Sequence, residues 1–197
     1  MRQALDDLLV LDFSRVLAGP LATMVLGDLG ARVVKVERPG VGDDTRAWGP
    51  PYDERGEATY FQAVNRNKDT VVLDLATEAG VAEARALAAR ADVVVENFRP
   101  GVMDRLGLGH DDLRAARPEL VFCSITGFGR GEAGAALPGY DLLVQALGGL
   151  LGGGDAGAQV VERVVGRGGL GHRHSTGSGA RRVTSRCPSR SAAPAGR

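Results

Sequence analysis

Residues 8–37, LLVLDFSRVLAGPLATMVLGDLGARVVKVE, decide the fold. Leu8 to Phe13 is a short apolar run suited to a strand buried on both faces. Ala18-Gly19-Pro20 then opens a helix, because proline in a first turn lacks only an N–H that would have no partner there. The helix is expected to run to about Leu29 and stop at Gly30, and Arg32 to Glu37 is expected to form a second strand. Strand, helix and strand in about thirty residues make a βαβ unit. The turn itself reads RVLAGPLA, without the glycine fingerprint of a dinucleotide site, so a nicotinamide cofactor is not expected.

The pattern repeats along the chain. Val71 to Leu75 reads as a third strand, Thr77 caps a helix through Arg90 with Glu78 in its first turn, Asp92 to Glu96 is a fourth strand and Leu120 to Ile125 a fifth. Residues 39–58, rich in glycine and proline, read as a long surface loop. Strands alternating with helices predict an α/β fold with a Rossmann-like, open and mostly parallel sheet, covered on both faces.

The 197 residues carry no net charge, but the average hides two segments. Sixteen basic residues against 24 acidic ones precede Arg163, a net of −8, and eight arginines with no acid follow Glu162. Residues 152–197 also hold eleven glycines and almost no large apolar side chain after Val165, so they cannot bury enough surface to offset their ordering entropy. The expected organisation is a folded part over 1–151 and a disordered Gly/Arg-rich tail over 152–197, and the abruptness of the switch is read as a slipped reading frame in preference to a genuine basic tail.

Several chemistries are not expected. Gly166 to Gly171 fits G-x-G-x-x-G, but no amphipathic helix or acidic residue follows it. His172 and His174 near Cys187 supply too few ligands for a metal, and the arginine tail has no aromatics for stacking on nucleic acid. The two cysteines, Cys123 and Cys187, match neither a disulfide framework nor a metal spacing, which points to a reducing, cytoplasmic compartment. No run approaches the ~20 apolar residues of a membrane span. The two lysines, Lys35 and Lys68, stand against 22 arginines, a bias read as compositional and without a binding role.

Two groupings point to an anionic ligand. Asn65-Arg66-Asn67-Lys68 leads into the third strand and Glu96-Asn97-Phe98-Arg99-Pro100-Gly101 leaves the fourth, with Arg38 after the second and Arg105 beyond. All are expected at the carboxyl edge of the sheet, where open α/β folds bind ligands and where guanidinium groups suit phosphates.

These residues belong to motifs that resemble the family III CoA-transferases: LDFSRVLAGPLATMVLGDLGARVVKVERPGVGDDTR at 11–46, YFQAVNRNKDTVVLDL at 60–75, ADVVVENFRPGVMDRLGL at 91–108, and SITGFGRG at 124–131 followed by PGYDLLVQALGGL at 138–150. The resemblance covers residues 5 to about 151. It implies a chain about twice this long, a large Rossmann-like domain with a smaller one, and two interlocked protomers. It further implies CoA contacts from Val16, Ala18, Arg38, Leu73, Asn97, Phe98 and Arg105, with Arg38 and Arg105 addressing the nucleotide. No metal is implied.

The implied reaction moves CoA from an acyl-CoA thioester to a carboxylic acid through an aspartyl-CoA intermediate. Its nucleophilic aspartate would lie about thirty residues beyond Tyr140-Asp141, near residue 170, where the sequence reads GRGGLGHRH. Asp155 is the last aspartate and is misplaced, so the chain is expected to be inactive alone, with Tyr140 and Asp141 as supporting residues at most. Leu17 and Arg15 stand where formyl-CoA transferase has glutamine and histidine, which speaks against formyl or oxalyl transfer and leaves room for a bulkier or less polar acyl group, and Ala76 stands where that enzyme has a lysine that assists CoA binding. The alternatives are a relative of the acyl-CoA racemases, whose His-Asp pair would stand at Tyr140-Asp141, and a noncatalytic CoA-binding fragment.

Overall fold

A computed structural model describes residues 2–148 except 132, 133 and 136. The tail at 152–197, with His172, His174, Cys187 and the position expected for the nucleophile, lies outside the described residues. Strand β1 (Leu9–Asp12) leads through helix α1 (Ala18–Asp28) to β2 (Arg32–Glu37). A 3-10 turn (Asp44–Ala47) and α2 (Thr59–Asn65) precede β3 (Lys68–Val72). Then come α3 (Glu78–Ala88), β4 (Val93–Glu96), α4 (Val102–Arg105), α5 (His110–Ala116), β5 (Val121–Ser124) and α6 (Asp141–Leu147).

The five strands form one sheet in the order β3-β2-β1-β4-β5, and every pairing is parallel. The chain therefore winds outward in one direction from β1 and returns to wind the other way from β4. The strand order reverses between β1 and β4, which opens a crevice at their carboxyl ends. An apolar cluster including Leu11, Phe13, Leu73, Ala84, Val94 and Leu108 fills one face of the sheet. Val10, Ala31, Val33 and Val95, with Leu26 of α1, fill the other. Each fully buried Leu or Phe contributes about 1.5–3 kcal/mol.

The βαβ reading holds almost to the residue. Gly30 follows the α1 carboxyl end at φ +108°, a conformation that side chains resist. Thr77 caps α3, its Oγ1 accepting from the Gly80 amide at 3.1 Å. The third strand, however, begins at Lys68 and not at Val71. It is an edge strand whose Asp69 and Thr70 are exposed, so an apolar run marks only its end. The loop at 39–58 is also more ordered than its composition suggests, with a 3-10 turn, a Tyr52–Ala58 bridge, and Asp43 and Thr45 buried to 2% and 0% exposure. Among the described residues no helix is long and apolar enough to cross a membrane.

Candidate functional site

The crevice is built on the turn from Asp12 to Ala18. Asp12 ends β1 at 0% exposure. One carboxylate oxygen accepts from the Ser14 amide at 2.9 Å and from the Ser14 hydroxyl. The other accepts from Thr23 Oγ1 at 2.6 Å and pairs with Lys68 Nζ at 3.1 Å. Lys68 Nζ also donates to the Pro20 carbonyl at 2.8 Å and to Asn65 Oδ1 at 2.9 Å. One ammonium thus ties β1, the first turn of α1 and the end of α2. Burial pushes the Lys68 pKa down to about 8, against the opposing pull of Asp12. Gly19 lets the helix pass over Ser14, since any Cβ there would collide with the Ser14 side chain.

A second ammonium lies beside the first. Lys35 Nζ donates to the Ser14 carbonyl at 2.7 Å and pairs with Asp43 at 2.9 Å, both side chains being 1% exposed or less. Asp43 Oδ1 caps Thr45 through its amide at 3.0 Å and its hydroxyl at 2.8 Å, and the carboxylate also accepts from the Val16 amide at 3.4 Å. Burial works to raise the Asp43 pKa, but Lys35 and the Thr45 donors outweigh it and hold the carboxyl below its ordinary range. Glu37 behaves alike: burial opposes ionisation, while Arg46 at 2.7 and 2.8 Å and the Asp43 amide at 3.0 Å hold its carboxyl low. The Arg46 guanidinium in turn lies 3.8 Å over the Phe61 ring.

Val16 has φ +69°, an outlier for a β-branched side chain that costs about 1–3 kcal/mol. Asn97, just past β4, closes the turn from the other side. Its Oδ1 accepts from the Arg15 amide at 2.8 Å and its Nδ2 donates to the Arg15 carbonyl at 2.7 Å. The Arg15 guanidinium stacks 4.9 Å over the Phe98 ring, and burial, then Arg38, lower its pKa. Arg38 follows β2 and pairs with Asp44 at 2.5 Å. Ala18 is exposed at the start of α1, whose first turn has no side-chain cap.

The remaining residues singled out in the sequence fall around the same edge. Leu73 is buried just past β3, its amide donating to the Glu37 carbonyl at 2.9 Å. Phe98 packs against the apolar cluster that contains Leu73 and Met103. Arg105 lines an open groove of ≈ 340 Å³ with Ala76, Thr77, Arg85 and Leu106. Tyr140 and Asp141 start α6 next to the loop leaving β5, because a Cβ on Gly127 would lie 2.6 Å from Gly139 Cα. The Asp141 carboxylate accepts from Gln145 of its own helix at 2.6 Å.

One grouping is misplaced by the sequence reading. Asn65 to Lys68 precedes β3 and so lies at the amino edge, not the carboxyl edge. There Arg66 and Asn67 hold Asp28 at the end of α1, at 2.6 and 2.7 Å. Lys68 alone sends its side chain up to Asp12. Sequence patterning does not single out Asp12, Thr23, Asp43 or Thr45, and it assigns Lys68 to an anionic ligand and Lys35 to nothing, although both lysines are buried at the turn. Lys35 carried a usable signal, being a charge between Val34 and Val36 of a buried strand, where it requires a partner. Among the described residues no cluster of His, Cys, Asp and Glu has the form of a metal site.

The chain is similar to known proteins. The chain is 49% identical over 147 residues to mouse succinyl-CoA:glutarate CoA-transferase, covering 75% of this chain and 34% of that protein. It is 47% identical over 146 residues to acetyl-CoA:oxalate CoA-transferase of Acetobacter aceti, covering 74% of this chain and 37% of the relative. It therefore spans about a third of the length of these relatives. The crystal structure of a CAIB/BAIF family protein from Brucella suis superposes with a TM-score of 0.72 at 48% identity, covering 76% of this chain and 40% of that one. The family model for CoA-transferase family III matches residues 5–165, spanning the crevice turn, the Arg38 loop and the Asn97 segment alike, and the chain belongs to that family.

Proposed function

We propose that this chain supplies the CoA-binding part of a transferase that moves CoA from an acyl-CoA thioester to a carboxylic acid. The observation that carries this reading is the arrangement along one sheet edge of Val16, Ala18, Arg38, Asn97 and Phe98, with Arg105 in the neighbouring groove. Arg38 and Arg105 offer guanidinium forks to the phosphorylated nucleotide, while the uncapped first turn of α1 and the Phe98 ring border the thioester arm. The succinyl-CoA:glutarate relative named above acts on a dicarboxylic acid larger than oxalate, which supports an acceptor of that class here and agrees with Leu17 and Arg15 speaking against an oxalyl group.

In the proposed reaction an aspartate carboxylate attacks the thioester carbonyl and expels CoA thiolate, giving a mixed anhydride. The thiolate then attacks the aspartyl carbonyl of the anhydride, releasing the donor acid and leaving an aspartyl-CoA thioester. The acceptor carboxylate repeats the two steps in reverse and departs as the new acyl-CoA. A carboxylate suits the role because its anhydride is as reactive as the thioester it replaces. No aspartate follows Asp155 in this sequence, so we assign the 197-residue chain CoA binding without turnover, with Tyr140 and Asp141 as supporting groups.

A homodimer is part of the proposal. Leu17, Leu21, Val25 and Leu29 recur every fourth residue along α1 and are 42–47% exposed, an apolar stripe suited to burial against a second copy. A cytoplasmic setting fits the free, exposed thiol of Cys123.

The test is titration of the chain with free CoA in a calorimeter, followed by an assay of CoA movement between two acids. Saturable binding that weakens about tenfold or more in Arg38→Ala and Arg105→Ala, without turnover, is expected. A folded chain that binds no CoA overturns the reading. Exchange of the acyl α-proton with solvent deuterium would replace it with the racemase alternative.

A further inference from the structure

Two consecutive peptide groups in the crevice turn are held at all four polar atoms by side chains from three separate segments. The Ser14 carbonyl accepts from Lys35 of β2 at 2.7 Å, and the Arg15 amide donates to Asn97 Oδ1 at 2.8 Å. The Arg15 carbonyl accepts from Asn97 Nδ2 at 2.7 Å, and the Val16 amide donates to Asp43 at 3.4 Å. Peptide groups in a turn are ordinarily left to water or to backbone partners. Here Lys35 and Asp43, paired with each other at 2.9 Å and 1% exposed or less, grip the outer atoms of the two groups while Asn97 grips the inner pair. Downstream of the grip Val16 takes φ +69°, and the next residues, Leu17 and Ala18, begin α1 with no side-chain cap of their own.

We infer that Lys35 and Asp43 are positioning residues for the ligand-binding turn: their ion pair holds Val16 in the left-handed conformation and thereby sets the Leu17–Ala18 backbone that borders the ligand. Neither residue reaches the surface, so each acts on ligand only through the turn. An ion pair this deeply buried is a poor source of net stability, because desolvation offsets its attraction. It is a good source of directional restraint, because each charge is satisfied only while the turn keeps its shape. Val16 supplies the second observation. A valine adopts this φ only where its surroundings over-determine it, whereas glycine visits the region freely.

The inference rests on CoA being the ligand, and a thermodynamic cycle separates the two ideas. The clamp is removed in one step as K35M/D43A, which leaves no lone buried charge, and CoA affinity is measured in the Val16 and the V16G backgrounds. The cycle cancels any direct contact between Val16 and CoA. Loss of the clamp is expected to weaken CoA binding about tenfold when Val16 is present, or about 1.4 kcal/mol, and less than about threefold in the V16G background. Equal losses in both backgrounds, or no loss in either, would overturn the positioning role. Amide exchange at Val16 in the unliganded wild type gives a reading independent of ligand and variants. Protection above that of the Leu17 amide is expected, and an unprotected Val16 amide sinks the proposal even if K35M/D43A does not fold. Failure of the wild type to bind CoA, with Val16 protected, counts against the ligand and not against the clamp.

Discussion

The two halves of the sheet are held together differently. On the side of β1, β2 and β3, nine polar or charged side chains are buried: Asp12, Ser14, Thr23, Lys35, Glu37, Asp43, Thr45, Asn65 and Lys68. On the side of β4 and β5 the described residues bury Glu96 alone, and Val94, Met103, Leu108, Leu113 and Leu120 close the layer by apolar contact. Apolar packing is non-directional and tolerates small slips, whereas a buried ion pair is satisfied in one geometry only. The half that forms the crevice turn therefore spends stability on geometry, and the other half supplies most of the cohesion.

The largest effect that could break this contrast is the loss of one charge from a pair. Lys35→Met leaves the Asp43 carboxylate buried beside Thr45 without its cation, and a cost of about 3–5 kcal/mol is expected from urea unfolding. K35M/D43A should cost clearly less than Lys35→Met alone, since it removes the orphan. In the other half, Leu108→Ala should cost about 2–5 kcal/mol by cavity formation, and no second substitution of opposite charge can repair it. If K35M/D43A proves as costly as Lys35→Met, the two halves are not stabilised in different ways.

A smaller effect sharpens the contrast through pH. Burial lowers the Lys68 pKa to about 8 from the unfolded value near 10.5, so the folded chain releases this proton first. Below pH 8 both states are protonated and the penalty of burying the charge is fully present. Between pH 8 and 10.5 the unfolded chain binds the extra proton, and stability rises with pH. The wild type should gain about 1.5 kcal/mol between pH 8 and 9.5 relative to Lys68→Met. Glu37 and Asp43 act with the same sign, at the acid end. Their folded pKa values are depressed, so the stability they provide is present above the ordinary carboxylate range and lost as pH falls through the lowered values. A wild type whose pH dependence matches that of Lys68→Met between pH 8 and 9.5 would remove Lys68 from the list of burdened charges.

The same division explains which parts of the molecule were legible in the sequence. Periodicity and punctuation located β1, α1, β2, α3 and β4, because their apolar faces, Pro20, Gly30 and Thr77 are local signals. The edge strand β3 escaped by three residues, since Asp69 and Thr70 face water on an edge that needs no apolar pattern. The short helices α2 and α5, seven residues each, offered too few turns for a period to emerge. In the candidate site, Arg38, Asn97 and Arg105 were legible as charges and amides after strands. The Asn97 clasp on Arg15 and the Asp43 grip on Val16 were not, because they join residues 82 and 27 positions apart and depend on how the loops fold back. Composition marks Lys35 as incidental and position marks Lys68 for an anionic ligand, whereas both compact ammonium groups fit beneath the turn and pair with its own carboxylates.

The smallest effect concerns Thr77, whose side chain stands in the crossover between the halves. Its hydroxyl accepts from the Gly80 amide at 3.1 Å and donates to the Asp74 carbonyl at 2.8 Å, so it fixes both the start of α3 and the loop leaving β3. Gly80 packs directly against the Asp74 carbonyl, which any side chain at that position would strike. Thr77→Ala removes one neutral cap on an exposed hydroxyl and should cost about 1 kcal/mol, with Thr77→Ser recovering most of it. Since α3 docks by apolar contact through Ala84 and Ala88, the loss should fray its first turn without reaching Lys35, Asp43 or the Val16 amide. Amide exchange distinguishes the cases. Faster exchange confined to residues 78–81 fits two halves that are independently secured, whereas faster exchange at Val16 would mean that the crossover and the crevice turn are one cooperative unit.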